Sequence, residues 1–297
     1  MQAQMDDGEV GITADLVARL IADQFPQWAG LSVRPVASAG TVHELYRLGE
    51  ELLVRLPRRS WGHSGPDEGL IRQLGPHLPV LIPAAVGEGR PARGYPGHWS
   101  VVRWLDGVNP VEDHLEDPRL LAADLAGFLG ALWQIDLPGG PPAYRGGPLS
   151  TQDDFTLEAM GRLRGLVDTD SARAVWEHAV RLPQWDGPDT WIHADMMPGN
   201  LLTRRGRLAA VIDFECAGLG DPSQDLIVAW MLLPADVRPA FRRAVGVDDA
   251  TWLRGRARAL SMAVGHLDYY EGRNPVMTVN AHYTIREVLA DYHATPL

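Results

Sequence analysis

The pattern of apolar residues changes character once along this chain, near residue 105, and that change limits the fold more than any other feature. Before it, short apolar runs at 31–36, 45–48 and 52–56 are separated by turn residues at 38–41 and 49–51 and closed by Pro57, which reads as an antiparallel meander. Residues 99–105 form another strand, broken by Asp106-Gly107 and Asn109-Pro110. After it, residues 117–136 place Leu120, Leu121, Leu125, Phe128, Leu129, Leu132 and Trp133 at a 3.6-residue period, the signature of an amphipathic helix. Residues 226–233 read as a buried helix, and 252–271 and 276–292 as two more, joined near Asn274-Pro275. A helix over 13–25 with Thr13 as N-cap and a short one over 67–74 complete the pattern. Strands segregated from helices predict an α+β protein with a β-rich lobe over 1–105 and a helical lobe over 106–297. A cleft between two such lobes is a default place for a ligand.

Composition removes several classes of function. The 297 residues contain 38 acidic and 27 basic ones, a net charge of −11 that argues against a nucleic-acid partner and would steer a cationic ligand. All 27 basic residues are arginine, so a Walker A loop, a Schiff-base lysine and a Ser-x-x-Lys nucleophile are excluded. The single cysteine, Cys216, excludes an internal disulfide and a multi-cysteine zinc site. No apolar run approaches the ~20 residues of a membrane span, and the acidic start lacks the features of a secretory signal. A cytoplasmic protein is expected, with no membrane partner.

The chemistry concentrates between Trp191 and Phe214. Two apolar strands, 201–202 and 208–212, flank a polar turn around Gly206, and a hairpin of that length brings Asn200 and Asp213 to one end of the ladder. Asp195 lies on the loop just before the first strand. Oxygen donors converging there suit Mg2+, which takes only one or two ligands from protein and the rest from phosphates and water. A further carboxylate nearby can accept a nucleophile's proton during phosphoryl transfer.

The blocks His193-Ala194-Asp195 … Pro198-Gly199-Asn200, Ile212-Asp213-Phe214 and Gly220-Asp221-Pro222 … Asp225-Leu226, in that order, resemble the aminoglycoside phosphotransferase family, antibiotic kinases with a protein-kinase-like fold. The resemblance runs from about residue 31 to 293. It implies two lobes, the small antiparallel β-rich one binding nucleotide and the larger, mainly helical one carrying catalysis. By position it implies Asp195 as catalytic base, Asn200 and Asp213 as Mg2+ ligands, and His193, Asp221 and Asp225 as supports of the loop. The turn from Ser38 through Gly40 to His43 resembles the family's nucleotide-covering loop, and Trp104 falls at the hinge that would receive the base. Arg55 stands where kinase-like folds carry a lysine, a departure from the pattern, with Asp67 or Glu68 as its acidic partner. Arginine is permanently charged and forked, so it can hold phosphate but with a different geometry.

In the family, the helices after the catalytic hairpin wall the acceptor site. Here Asp268 and Glu271 flank Tyr269 and Tyr270, and Asp153, Asp154 and Glu158 form a second acidic group, both suited to a cationic ring compound. The expected activity is Mg2+-dependent transfer of the γ-phosphoryl of ATP or GTP to a hydroxyl of a cationic small molecule, foremost an aminoglycoside or related antibiotic. The alternatives are a same-fold kinase of a macrolide, a peptide antibiotic, a choline-like amino alcohol or a sugar, and a nucleotide-binding pseudokinase suggested by Arg55. The expected assembly is a monomer or homodimer.

Overall fold

The computed structural model of the protein describes residues 11–58, 68–111 and 114–294, and they cluster into two compact units. The first holds the described residues up to 58 together with 83–105; the second holds 68–82 and everything from 106 onward. The segment 68–82 groups with the helical unit and not with the β-rich one, and residues 105 and 106 fall in different units.

The first unit is a five-stranded antiparallel sheet in the order β1-β2-β3-β5-β4, with β1 (Val33–Pro35), β2 (His43–Leu48), β3 (Leu52–Pro57), β4 (Ala85–Gly89) and β5 (Trp99–Arg103). Side chains alternate across a strand. Leu52, Val54 and Leu56 of β3 accordingly point into the core, and Arg55 lies on the opposite face, paired in register with Leu45 and Ser100. Helix α1 (Ala14–Gln24) starts where the Thr13 side chain accepts the Leu16 N–H, and it buries Leu16, Val17, Leu20 and Ile21 against Tyr46, Leu48 and Val54. Strand β4 is absent from the sequence reading. Its Gly87 and Gly89 face the rings of Phe25 and Trp99, where a Cβ would come within 2.8 and 2.0 Å, so this edge strand is built on missing side chains and not on an apolar alternation.

The second unit is mainly helical: α2 (Glu68–Leu74), α3 (Pro118–Trp133), α4 (Asp153–Arg162), α5 (Thr169–Val180), α6 (Val228–Met231), α7 (Arg238–Val245), α8 (Asp249–Tyr270) and α9 (Pro275–Ala294). Two small antiparallel pairs are set among them, β6 (Thr190–Ile192) with β9 (Gly218–Gly220) and β7 (Leu201–Arg204) with β8 (Arg207–Val211). The Asp117 carboxylate caps α3 by accepting the N–H groups of Arg119 and Leu120. Residues 226–233, expected as one buried helix, are buried throughout but begin as the end of a 3-10 turn over Pro222–Ile227, with only α6 regular. Asp221 caps that turn and Pro222 follows it, a start that favours tight local hydrogen bonds. Among the described residues no helix is long and apolar enough to cross a membrane.

Candidate active site

Strand β6 delivers the chain to His193 and then turns it sharply. Ala194 adopts the left-handed conformation (φ 65°), which a residue with a Cβ holds only when its surroundings fix it. They do so here from both sides. The Ala194 N–H donates to Asp225 Oδ1 (2.8 Å), and the Ala194 carbonyl accepts from Gln224 Nε2 (3.1 Å). Asp225 Oδ2 also accepts from the His193 N–H (3.1 Å) and from the Trp133 indole (3.1 Å), so one buried carboxylate ties the loop to α3. Burial pushes the Asp225 carboxyl up to about 6, against the pull of these donors and of the Arg258 charge.

His193 is fully buried. Burial drives its pKa down to about 4, so the ring is neutral at pH 7. Its Nε2 lies 2.9 Å from the Ile212 carbonyl and its Nδ1 accepts from the Asp195 N–H (3.3 Å), which assigns the proton to Nε2. The imidazole thus bridges the loop of Asp195 to the strand end of Asp213, edge-on to Phe214 with ring centres 4.7 Å apart.

The two-residue turn Arg205-Gly206, both at positive φ, closes the β7–β8 hairpin and sets Leu201 opposite Val211. The ladder continues with Ile212 N–H to Asn200 O (2.8 Å), so Asn200 and Asp213 emerge together at one end, as the spacing predicts. Asn200 Nδ2 donates to the carboxylate of Asp195 (2.7 Å) and to its carbonyl (2.9 Å), which turns the amide oxygen away from Asp195. Asp213 is itself left-handed (φ 66°). Burial first, then the Asp213 charge, push the Asp195 carboxyl up to about 7; the Arg145 charge and the Asn200 hydrogen bond oppose them. The hairpin and the loop hold two carboxylates, whose charges repel, and one carboxamide in a single polar centre.

Asp221 supports this centre from behind. Burial would raise its carboxyl, but Arg258 and Arg254 outweigh it and hold it below the usual carboxylate range. Both guanidinium groups reach its Oδ2, at 3.0 and 3.1 Å. The supporting roles of His193, Asp221 and Asp225 therefore have direct contacts behind them. Sequence reasoning missed three further members. Asn109 donates to the carbonyls of Gly199 (2.9 Å) and Leu201 (2.8 Å), Asp124 grips Arg207 and the Leu208 N–H, and Arg258 joins Asp221 to Ser223 and to the carbonyls of Arg145 and Gly147. Asn109 reads in sequence only as half of an Asn-Pro break, and Arg258 only as a polar residue on a helix.

The other candidates are dispersed. In the first unit, the Gly40 N–H donates to Ser38 Oγ (3.0 Å), closing the small-residue turn on itself. The Trp104 N–H donates to the Glu51 carbonyl (2.8 Å), and its ring lies under Arg47, 3.7 Å from the guanidinium carbon. Glu68 begins α2 in the second unit, and Asp67 lies outside the described residues. Asp268 is gripped by Arg162 through both carboxylate oxygens (2.9 and 3.0 Å), Glu158 also pairs with Arg162 (3.5 Å), and Glu271 lies 3.8 Å from His282. Asp153 accepts from the Trp176 indole (2.8 Å). Asp268 and Glu158 thus share one arginine, while Asp153 meets a neutral indole.

Among the described residues no three His, Cys, Asp or Glu side chains gather into a metal cluster. The donor set at the centre, the Asp213 carboxylate and the Asn200 amide oxygen, fits a hard cation such as Mg2+ that relies on few protein ligands.

The half-buried Asp195 carboxylate, the neutral His193 ring and the Asn200–Asp213 pair at one hairpin end thus lie together in the helical unit. The model of the phosphotransferase enzyme family, APH, matches residues 33–260, and the chain belongs to that family. Solved structures agree in fold. The GDP and kanamycin complex of APH(2")-IIia is 18% identical, with 93% of this chain and 98% of that one covered and a TM-score of 0.70. The GDP complex of aminoglycoside 2'-phosphotransferase-IIIa is 19% identical (94% and 99% covered, TM-score 0.71). Macrolide 2'-phosphotransferase MphH from Brachybacterium faecium, as the apoenzyme, is 18% identical (93% and 97% covered, TM-score 0.58). A search of curated protein sequences finds no significant match.

Proposed function

We propose that the protein transfers the γ-phosphoryl group of ATP or GTP, with Mg2+, to a hydroxyl of a small-molecule antibiotic, an aminoglycoside or a related compound. The observation that carries this reading is the locked Asp195 loop, with Asn200 hydrogen-bonded to the Asp195 carboxylate and Asp213 at the same end of the hairpin. Asn200 Oδ1 and Asp213 are the groups that would hold Mg2+, which when bound neutralises charge on the nucleotide phosphates. Asp195 accepts the proton of the acceptor hydroxyl. Its raised proton affinity places it closer to working pH than an ordinary carboxylate, which suits a general base. Asn200 fixes which oxygen of Asp195 faces the hydroxyl, and His193, neutral and doubly bonded, keeps the Asp195 and Asp213 segments in register. Arg55 is assigned to the phosphates, with Glu68 or Asp67 as its partner, Ser38 and Gly40 to the loop over them, and Trp104 to the base-binding hinge. Asp268 and Glu271 are assigned to the acceptor side.

ATP, GTP and Mg2+ are abundant in the cytoplasm, and that is where this reading places the enzyme. A macrolide acceptor is the second reading, favoured by the exposed rings of Tyr144 and Phe155 and by the pairing of Asp268 and Glu158 with Arg162. The test is nucleotide turnover with and without Mg2+ against kanamycin, gentamicin, streptomycin and a macrolide, with mass spectrometry of each product. The reading predicts Mg2+-dependent gain of one phosphoryl group on at least one of them. Nucleotide binding with no product from any of them would contradict it and leave the pseudokinase reading standing.

A further inference from the structure

Arg145 follows Tyr144 on the segment between α3 and α4, and its backbone is left-handed (φ 60°), an unusual conformation for a long side chain. The conformation is enforced by the catalytic support network. The Arg145 carbonyl accepts from Arg258 Nη1 (2.6 Å), the Tyr144 N–H donates to the Cys216 carbonyl (3.0 Å), and the Asp221 N–H donates to the Gly146 carbonyl (2.9 Å). Arg258 Nη1 also donates to Gln224 Oε1 (3.3 Å), and Gln224 donates to the Ala194 carbonyl, so one network joins the Arg145 segment to the Asp195 loop.

The side chain is fixed as well. Its guanidinium carbon lies 5.4 Å from the Tyr144 ring centre and 5.2 Å from that of Phe155 on α4, within cation–π range of both. The tip of the Phe155 ring in turn packs on α8 at Gly265, where a Cβ would meet it at 2.3 Å, next to His266 in sequence. Nη1 of Arg145 is buried and has no hydrogen-bond partner among the described residues. A guanidinium so oriented and left one bond short is a donor waiting for an oxygen. Ala143, two residues before Arg145, packs with Ile192 and Ala194 beside Asp195, and burial and then the Arg145 charge drive the His266 pKa down to about 4. His266 is thereby neutral at pH 7 and adds no second positive charge.

Resting on the phosphotransferase reading, we infer that Arg145 is a specificity-determining residue of the acceptor site, donating to an oxygen of the acceptor close to the hydroxyl that is phosphorylated. The acceptor hydroxyl has to approach Asp195, and the wall beside it consists of Tyr144, Arg145, Phe155 and neutral His266. That wall offers two aromatic faces and one fixed cation, so it takes a hydroxyl, ether, carbonyl or carboxylate oxygen and rejects an ammonium at that position. Any polycationic acceptor must turn an uncharged, oxygen-bearing part towards it.

The experiment compares Arg145→Gln, Arg145→Glu and Arg145→Lys with the wild type on the four acceptors named above, with melting temperatures as a check on folding. The inference predicts an acceptor KM at least tenfold higher in Arg145→Gln and no lower than that in Arg145→Glu, partial recovery in Arg145→Lys, and a nucleotide KM within twofold throughout. An acceptor KM in Arg145→Gln within twofold of wild type overturns it. So does an Arg145→Glu variant that binds an acceptor more tightly than wild type, because the arginine would then only repel an ammonium. A wild-type enzyme that phosphorylates none of the four overturns the functional reading itself and this inference with it. Should the Gln and Glu variants fail to fold, Arg145→Lys decides alone: it keeps the charge but not the fork, and an unchanged acceptor KM overturns the inference.

Discussion

Asp225 is a residue through which the Asp195 loop meets the core. Its two oxygens collect the N–H groups of His193 and Ala194 and the Trp133 indole, and together with Gln224 they stabilise a left-handed alanine. Asp225→Asn keeps the shape but turns an NH2 group towards at least one of these donors. Hydrogen bonds to a charged group contribute about 1.5–3 kcal/mol each, so the variant should lose about 3 kcal/mol of stability in chemical denaturation. Because Asp195 sits directly after Ala194, kcat should fall roughly a hundredfold, the usual cost of about 1 Å of misplacement. A variant with wild-type stability and turnover would show that the loop stands without this carboxylate. At this scale the sequence was informative where a side chain's place follows from spacing or from the family pattern. Asp195, Asn200 and Asp213 are set by the length of one hairpin, and Asp221 and Asp225 by the start of the next turn. It was silent on Asn109 and Arg258, whose partners lie between 34 and 113 residues away and depend on the finished packing.

Helices with a clear apolar stripe, α1, α3 and α9, were legible because burial on one face leaves a 3.6-residue period. Strand β4, which the sequence did not show, and helix α8, read there over 252–271, depart from that pattern for opposite reasons. β4 is glycine where it touches Phe25 and Trp99, and α8 is buried nearly all round, with Arg254, Arg256 and Arg258 inside and paired with carboxylates. Strand β9 belongs with them. A Cβ on Gly218 would meet the Pro141 carbonyl oxygen at 2.3 Å and the Ala143 nitrogen at 2.7 Å, and backbone atoms cannot swing aside. Gly218→Ala should therefore part β9 from the segment that carries Tyr144 and Arg145. The expected loss is roughly 1–3 kcal/mol, the range for overpacking a filled site. Its melting temperature should drop and its acceptor KM should rise, whereas Gly147→Ala, with open space around its Cα, should leave both unchanged. Equal behaviour of the two variants would contradict this account of β9.

The molecule as a whole is a sheet unit and a helical unit, and the chain crosses between them more than once, since 68–82 groups with the helices although it lies between two stretches of the sheet. No local pattern announces that excursion; it becomes visible only in which residues cluster. The net charge of −11 belongs to this scale too, because a diffuse acidic surface can gather a cationic acceptor whose final contacts need not be acidic. All of these levels converge on one claim, that Asp195 is the base of a phosphotransferase. Asp195→Asn replaces one oxygen by an NH2 group of the same size, and the most direct measurement is its kcat beside calorimetric binding of nucleotide and acceptor. General-base catalysis contributes about 10²–10⁴-fold, so the account predicts a fall in kcat of that size with both ligands still bound. Turnover within tenfold of wild type would contradict it.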